Sequence, residues 1–264
     1  MNRSSIFIIT HKEFNIQYPD NYIPIQVGKC NTNLNLQYLS DDTGINISKK
    51  NSNYCELTGM YWAWKNYELP DYVGLVHYRR FFKTGLLNHK ILPEEKIIKY
   101  MKDVDIILPK KFYFPRKVWN NYFEAGCGKE KDLIALKRII QNEYPEYFKS
   151  FEKIMNSYSA SYCNMFITTK RKFDKYSGWL FEVLEKLESV TDISNYNKAE
   201  ARIYGYISEI LLNVWVDKNN LKIKYIEIIK TNNTFKKNVK WKIKMIKGWL
   251  IGNIKKVIHN LIFL

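Results

Sequence analysis

The sequence predicts an α/β domain with a mostly parallel central sheet, followed by a basic, amphipathic helical tail. Three observations lead there. Short apolar runs with polar ends recur at Ser5–Thr10, Tyr72–Val76 and Asp105–Leu108, each the length of one buried strand. The stretches between them carry helical periodicity, so strand and helix alternate as they do in sheets with helical crossovers. From Thr231 onward there are eight lysines and no acidic residue, a change of composition that separates a domain over 1–230 from a segment over 231–264.

Taken in order, SIFIIT (Ser5–Thr10) is a buried first strand that runs into polar His11-Lys12, and Tyr22–Val27 is a second strand. DDTGINISKKN (Asp41–Asn51) is rich in turn formers and reads as loop. A helix follows over Asn53–Asn66, capped by Ser52 or Asn53. Tyr72–Val76 is a strand that runs straight into HYRRFF, Pro93–Met101 a helix, and Asp105–Leu108 a strand closed by Pro109. Lys129–Gln141, Glu146–Ser157, Lys172–Leu187 and Lys198–Val216 read as helices, Cys163–Thr168 as a strand, and Leu221–Ile229 alternates as a final strand.

A chain of 264 residues with 46% hydrophobic and 16% aromatic content can bury one large core. Cys30, Cys55, Cys127 and Cys163 are scattered without a C-x-x-C pair, so neither a zinc site nor a disulfide framework is indicated, and mostly buried, reduced thiols are expected. The N-terminal apolar stretch is too short for a signal-peptide core or a membrane span, which places the chain on the cytoplasmic side. A net charge of +16 predicts an anionic partner: nucleic acid, a membrane surface or a phosphorylated small molecule. The aromatic residues are spread through apolar runs and no nucleic-acid motif is present, so a nucleic-acid-binding protein is the weaker reading, alongside a noncatalytic membrane scaffold.

His77, Tyr78, Arg79 and Arg80 emerge at the carboxyl end of a buried strand, where open α/β sheets bind ligands. Two adjacent guanidiniums with a histidine suit the oxygens of a diphosphate. Residue types alone fit a surface ion-pair cluster and a satisfied core histidine equally well.

Five ordered segments carry a family resemblance: IFIITHK (Ile6–Lys12), NISKKNSNYCELTGMYWAWKN (Asn46–Asn66), DYVGLVHYRRFF (Asp71–Phe82), YCNMFITTKRKFDKYSGWLF (Tyr162–Phe181) and ARIYGYISEILL (Ala201–Leu212). The sequence resembles the DUF4422 family of bacterial capsular and exopolysaccharide glycosyltransferases, which includes galactofuranosyltransferase-like enzymes. The resemblance implies a GT-A-like fold with one Rossmann-type domain. It also implies a UDP-sugar donor and an inverting transfer. Many GT-A enzymes hold a divalent metal with an Asp-x-Asp motif after a strand. Here Asp103-Val104-Asp105 precedes its apolar run, so its carboxylates fall at the amino end of the strand, away from the ligand edge. The arginines at His77–Arg80 occupy the motif's place, so no metal or other cofactor is expected.

Within that frame Thr10, His11 and Lys12 meet the nucleotide, and Asp42, Asn46 and Asn51 bond ribose or sugar hydroxyls unless they serve their turns. The resemblance sets Asn164 near the donor sugar. Arg202, Gly205 and Glu209 share a helix face, which makes Glu209 the first candidate for the general base and Glu200 the second; a structural Arg202–Glu209 pair is the alternative. Glu56 sits where a helix dipole favours a carboxylate, and Trp62 and Trp64 are core residues or sugar platforms.

Read as a helix, Lys240–Leu264 gathers Ile243, Ile246, Leu250, Ile254, Val257 and Leu261 on one stripe flanked by lysines. Such a helix suits the anionic inner face of the plasma membrane, with a lipid-linked oligosaccharide as acceptor. A core-packed terminal helix is the alternative.

Overall fold

A computed structural model describes residues 2–85 and 90–231 together with positions 250 and 254. The strands are β1 (Ser4–Thr10), β2 (Tyr22–Gln26), β3 (Leu39–Ser40), β4 (Tyr72–His77), β5 (Arg80–Thr84), β6 (Lys90–Ile91), β7 (Ile106–Pro109), β8 (Phe112–Tyr113), β9 (Ser159–Ala160), β10 (Phe166–Thr169), β11 (Ile223–Ile226) and β12 (Ile228–Lys230). The helices are α1 (Asn51–Tyr54), α2 (Leu57–Asn66), α3 (Glu94–Met101), α4 (Val118–Glu124), α5 (Glu130–Glu143), α6 (Pro145–Met155), α7 (Lys170–Val190) and α8 (Ile203–Lys218).

The central sheet runs β11-β7-β10-β4-β1-β2-β3. β1 pairs in parallel with β2 and β4, and β11 with β7, while β10 is antiparallel to both β4 and β7. Along this path the sheet is mostly parallel with β10 reversed, so β4 and β7 point the same way; off the path β5 pairs antiparallel with β4, β6 and β12. Alternate side chains of β1 feed two cores, as strand geometry requires: Phe7 and Ile9 pack with the large group of helices, Ile6 and Ile8 with α3 and β5. α8 is apolar on nearly every side and lies buried against α6 and α7, so any polar group it carries is held in a water-poor setting.

Three departures from the sequence reading matter for the site. The helix expected over Asn53–Asn66 is broken at Cys55, whose φ of 53° turns the chain before α2 begins. Asn51 stabilises the break, since its Nδ2 donates to the Cys55 carbonyl oxygen and to Thr58 Oγ1. The strand expected from Cys163 starts only at Phe166, because Cys163 and Asn164 adopt φ values of 80° and 47° and form a turn. The last strand is two: β11 pairs with β7, and after Glu227 the chain crosses to pair β12 antiparallel with β5.

The four cysteines are free as expected, but Cys30 is exposed and the other three only partly buried. No helix of the described residues is long and apolar enough to cross a membrane. The tail reading falls outside the described residues except at Leu250 and Ile254, both helical and exposed.

Candidate active site

Six segments meet at the carboxyl edge of β4 and β1. β4 and β5 are joined by the two-residue turn Tyr78-Arg79, with His77 opposite Arg80 in the ladder. Tyr78 is buried, and its backbone N–H donates to the Ile9 carbonyl oxygen of β1. Its ring organises the neighbouring cations: the Arg79 guanidinium lies 5.3 Å and the Lys12 ammonium 5.5 Å from its centre, and His11 meets it edge-on at 5.4 Å. Burial, followed by Lys12, Arg79 and Arg202, holds His11 below its ordinary pKa. This loop is thus rich in fixed positive charge.

His77 is half-buried, and its Nε2 lies 2.5 Å from the Cys163 carbonyl oxygen, to which it donates as a neutral imidazole. Burial and the two arginines lower its pKa despite Glu56 nearby. The expectation that His77 adds charge to a diphosphate clamp is therefore corrected: it is a neutral brace between β4 and the turn before β10.

Glu209, on α8, accepts the backbone N–H of Cys163 at 2.8 Å. Burial first and the carboxylate of Glu56 second push its carboxyl up to about 8, while the Cys163 hydrogen bond and then Arg80 and Arg202 act the other way. Glu56, at the break between α1 and α2, accepts Asn164 Nδ2 at 2.8 Å. The same amide also donates to the Gly205 carbonyl oxygen at 3.1 Å and to Ser208 Oγ at 2.8 Å. Asn164 thus spends its donors on the protein, anchoring Glu56 to α8, while its buried Oδ1 has no hydrogen-bond partner in the protein.

Arg202 donates from Nε to Cys55 Sγ at 3.1 Å and stacks over Tyr206 at 5.2 Å, so an arginine–thiol contact stands in place of the alternative Arg202–Glu209 pair. Gly205 is what permits it: a Cβ there would come within 3.0 Å of Cys55 Sγ and 3.1 Å of Cys55 Cβ. Cys55, Cys163 and Asn164 all hold left-handed backbone, a strain of about 1–3 kcal/mol each that commonly marks functional sites.

Several expected residues have other duties. Thr10 is fully buried, donating from Oγ1 to the Lys12 carbonyl oxygen and accepting the Lys12 N–H; it shapes the loop instead of touching a nucleotide. Asn46 closes its own turn through Gly44 and Ser48. Asp42 accepts Ser40 Oγ at 2.6 Å. Trp62 is buried with Nε1 on Thr43 Oγ1, a core residue and no sugar platform, and Trp64 stacks on Phe181. Glu200 accepts the Asn197 N–H in its own turn, and its charge is felt at Tyr196. Asp103 and Asp105 lie before β7, at the opposite edge of the sheet; Asp105 bonds Lys172 Nζ at 3.0 Å and the Lys222 N–H at 2.8 Å.

Two residues were missed in the sequence. Asp41, fully buried, accepts the N–H groups of Gly28 and Lys29 and the Ser48 hydroxyl, tying together the loops beside β2 and β3. The doubled aspartate Asp41-Asp42 was the available signal. Lys230, opposite Arg80 in β12, had no signal, since it enters the site only through the crossing at Glu227.

Sheet order, the reversed strand β10 and a charged edge beside the β4–β5 turn define a protein of the GT-A-like class. The chain matches the family described as a domain of unknown function, DUF4422, over residues 5–220, and it belongs to that family. It is also similar to the apo structure of a WbbM bifunctional glycosyltransferase, 34% identical with a TM-score of 0.81. That match covers 88% of this chain and 46% of the other, so the chain spans about half the length of that protein. No curated protein matches the chain.

Proposed function

We propose that the chain is a glycosyltransferase that moves a hexose from a UDP-sugar to a hydroxyl of a lipid-linked oligosaccharide, with inversion and without a metal ion. The observation that carries the reading is the pairing, at one sheet edge, of the Arg79 and Arg80 cations with a half-buried carboxyl, Glu209, poised near pH 8. The likeness to a bifunctional glycosyltransferase supports the reaction class.

In the proposed reaction, an acceptor hydroxyl attacks the anomeric carbon of the donor. The bond from that carbon to the diphosphate oxygen breaks, and its electron pair stays on the diphosphate. Arg79 and Arg80 hold the charge that develops there, the electrostatic contribution that is commonly the largest in group transfer. The hydroxyl proton passes to the ionised Glu209 carboxylate, whose raised pKa matches a base working near neutrality. Galactofuranose is the donor sugar suggested by the family resemblance, and the lysine-rich tail over 231–264 is the proposed contact with the cytoplasmic membrane face.

A screen of UDP-sugars for transfer or hydrolysis tests this directly. The expected result is UDP release that Glu209→Gln abolishes; no release from any UDP-sugar, with or without a membrane extract as acceptor source, would overturn it.

A further inference from the structure

We infer that Lys230 is a third cationic ligand of the donor's diphosphate, acting with Arg79 and Arg80 on the charge of the leaving group. The inference rests on the reading of this edge as a nucleotide-diphosphate site and extends it to a strand far away in sequence.

The geometry begins at Glu227, where the chain leaves β11. Glu227 is pinned by Lys83 Nζ at 2.8 Å and Lys110 Nζ at 3.0 Å, and its carbonyl oxygen accepts the Lys83 N–H at 2.9 Å. From that anchor β12 runs antiparallel to β5, with Ile228 opposite Phe82, Ile229 opposite Phe81 and Lys230 opposite Arg80. Arg80 is at the same time opposite His77 in β4. Directly opposed residues project to the same face of a sheet, with Cβ atoms roughly 4.5–5.5 Å apart. His77, Arg80 and Lys230 therefore form one row across three strands, and the Thr231 N–H, which donates to the Arg79 carbonyl oxygen at 3.2 Å, closes β12 onto the β4–β5 turn.

Like charges directly opposed in an antiparallel pair destabilise it, and here both are half-buried. Burial first and Arg80 second hold the Lys230 ammonium below its ordinary pKa, with Cys163 acting the other way, so the repulsion adds to the cost of burying the ammonium. An anion bound between the two side chains reverses its sign. The diphosphate of a sugar donor gains one negative charge as the bond to the sugar breaks, so a third cation favours the released nucleotide over the intact donor, and with it the transition state.

The test is calorimetric titration and thermal melting of the full chain in EDTA, with UDP and inorganic pyrophosphate as probes. Lys230→Met is expected to weaken UDP binding by about tenfold or more, while Lys230→Arg stays within about threefold. The unliganded Lys230→Met protein is expected to melt close to wild type, because one half-buried side chain on a strand that stays paired with β5 is replaced by another of similar length. Wild-type affinity for UDP in Lys230→Met would overturn the inference and leave the arginine site standing. Equal weakening in both variants, with lower melting, would make β12 a structural strap instead. Failure of the wild type to bind either probe would overturn the diphosphate site itself along with the inference.

Discussion

Two carboxylates at opposite edges of the same sheet show how place governs chemistry. Asp105 stands at the amino end of β7, partly exposed; the backbone N–H of Lys222 and the Lys172 ammonium hold it below the ordinary carboxyl range. Glu209 stands at the carboxyl edge, half-buried on α8 beside Glu56, and is pushed up to about 8. The first is an ionised structural brace. The second holds its proton weakly near neutrality, as a general base must. Their contributions to stability have opposite pH dependence. For Asp105, with its pKa depressed on folding, stabilisation is present above the unfolded value and is lost as the pH falls. For Glu209, with its pKa raised, it is full below the unfolded carboxyl value and is lost as the pH rises towards about 8.

The largest effect should come from removing the base. Glu209→Gln is expected to lower kcat by about 10²–10⁴ and to abolish the limb of the pH–rate profile that rises towards pH 8; an unchanged profile would assign the base elsewhere. The same variant should be more stable than wild type at pH 9, measured by urea denaturation, because it no longer places an ionised carboxylate in a partly desolvated site beside Glu56. Arg79→Ala and Arg80→Ala come next, each lowering turnover by about 10² in steady-state kinetics.

A stability contrast between two glycines sharpens the picture of the strained edge. Gly205→Ala forces a Cβ against Cys55 and should cost about 1–3 kcal/mol and displace Arg202. At Gly178 in α7 the nearest atom to a new Cβ is Trp64 Cζ2 at 3.9 Å, so Gly178→Ala should be neutral or stabilising by up to about 1 kcal/mol. The smallest effect belongs to Asp105→Asn. Its ion pair is partly exposed and screened, so a loss of about 1 kcal/mol or less is expected, with turnover near that of wild type.

The strands that frame the site were legible because a buried strand reads as a short apolar run, and Tyr72–Val76 ends abruptly at His77. The placement of Asp103 and Asp105 followed from the same reasoning, since both precede their apolar run. Three features were not legible, each for a tertiary reason. Cys55 lies in a stretch without glycine or proline, and its left-handed turn is held by Asn51 and packed against Gly205. Thr10, Asn46 and Asn51 have the chemistry of ligands, but local backbone groups claim it. Lys230 lies in an alternating run that reads as one strand, and only the ion pairs of Glu227 mark where the chain changes partner.

The central claim is that the charge of the departing diphosphate is carried by the protein's own cations at the β4–β5 turn. Turnover of a UDP-sugar by the wild-type chain, measured after exhaustive treatment with EDTA, tests it most directly. Turnover unchanged within about twofold is the predicted result; full inhibition by EDTA, reversed by added manganese, would contradict it.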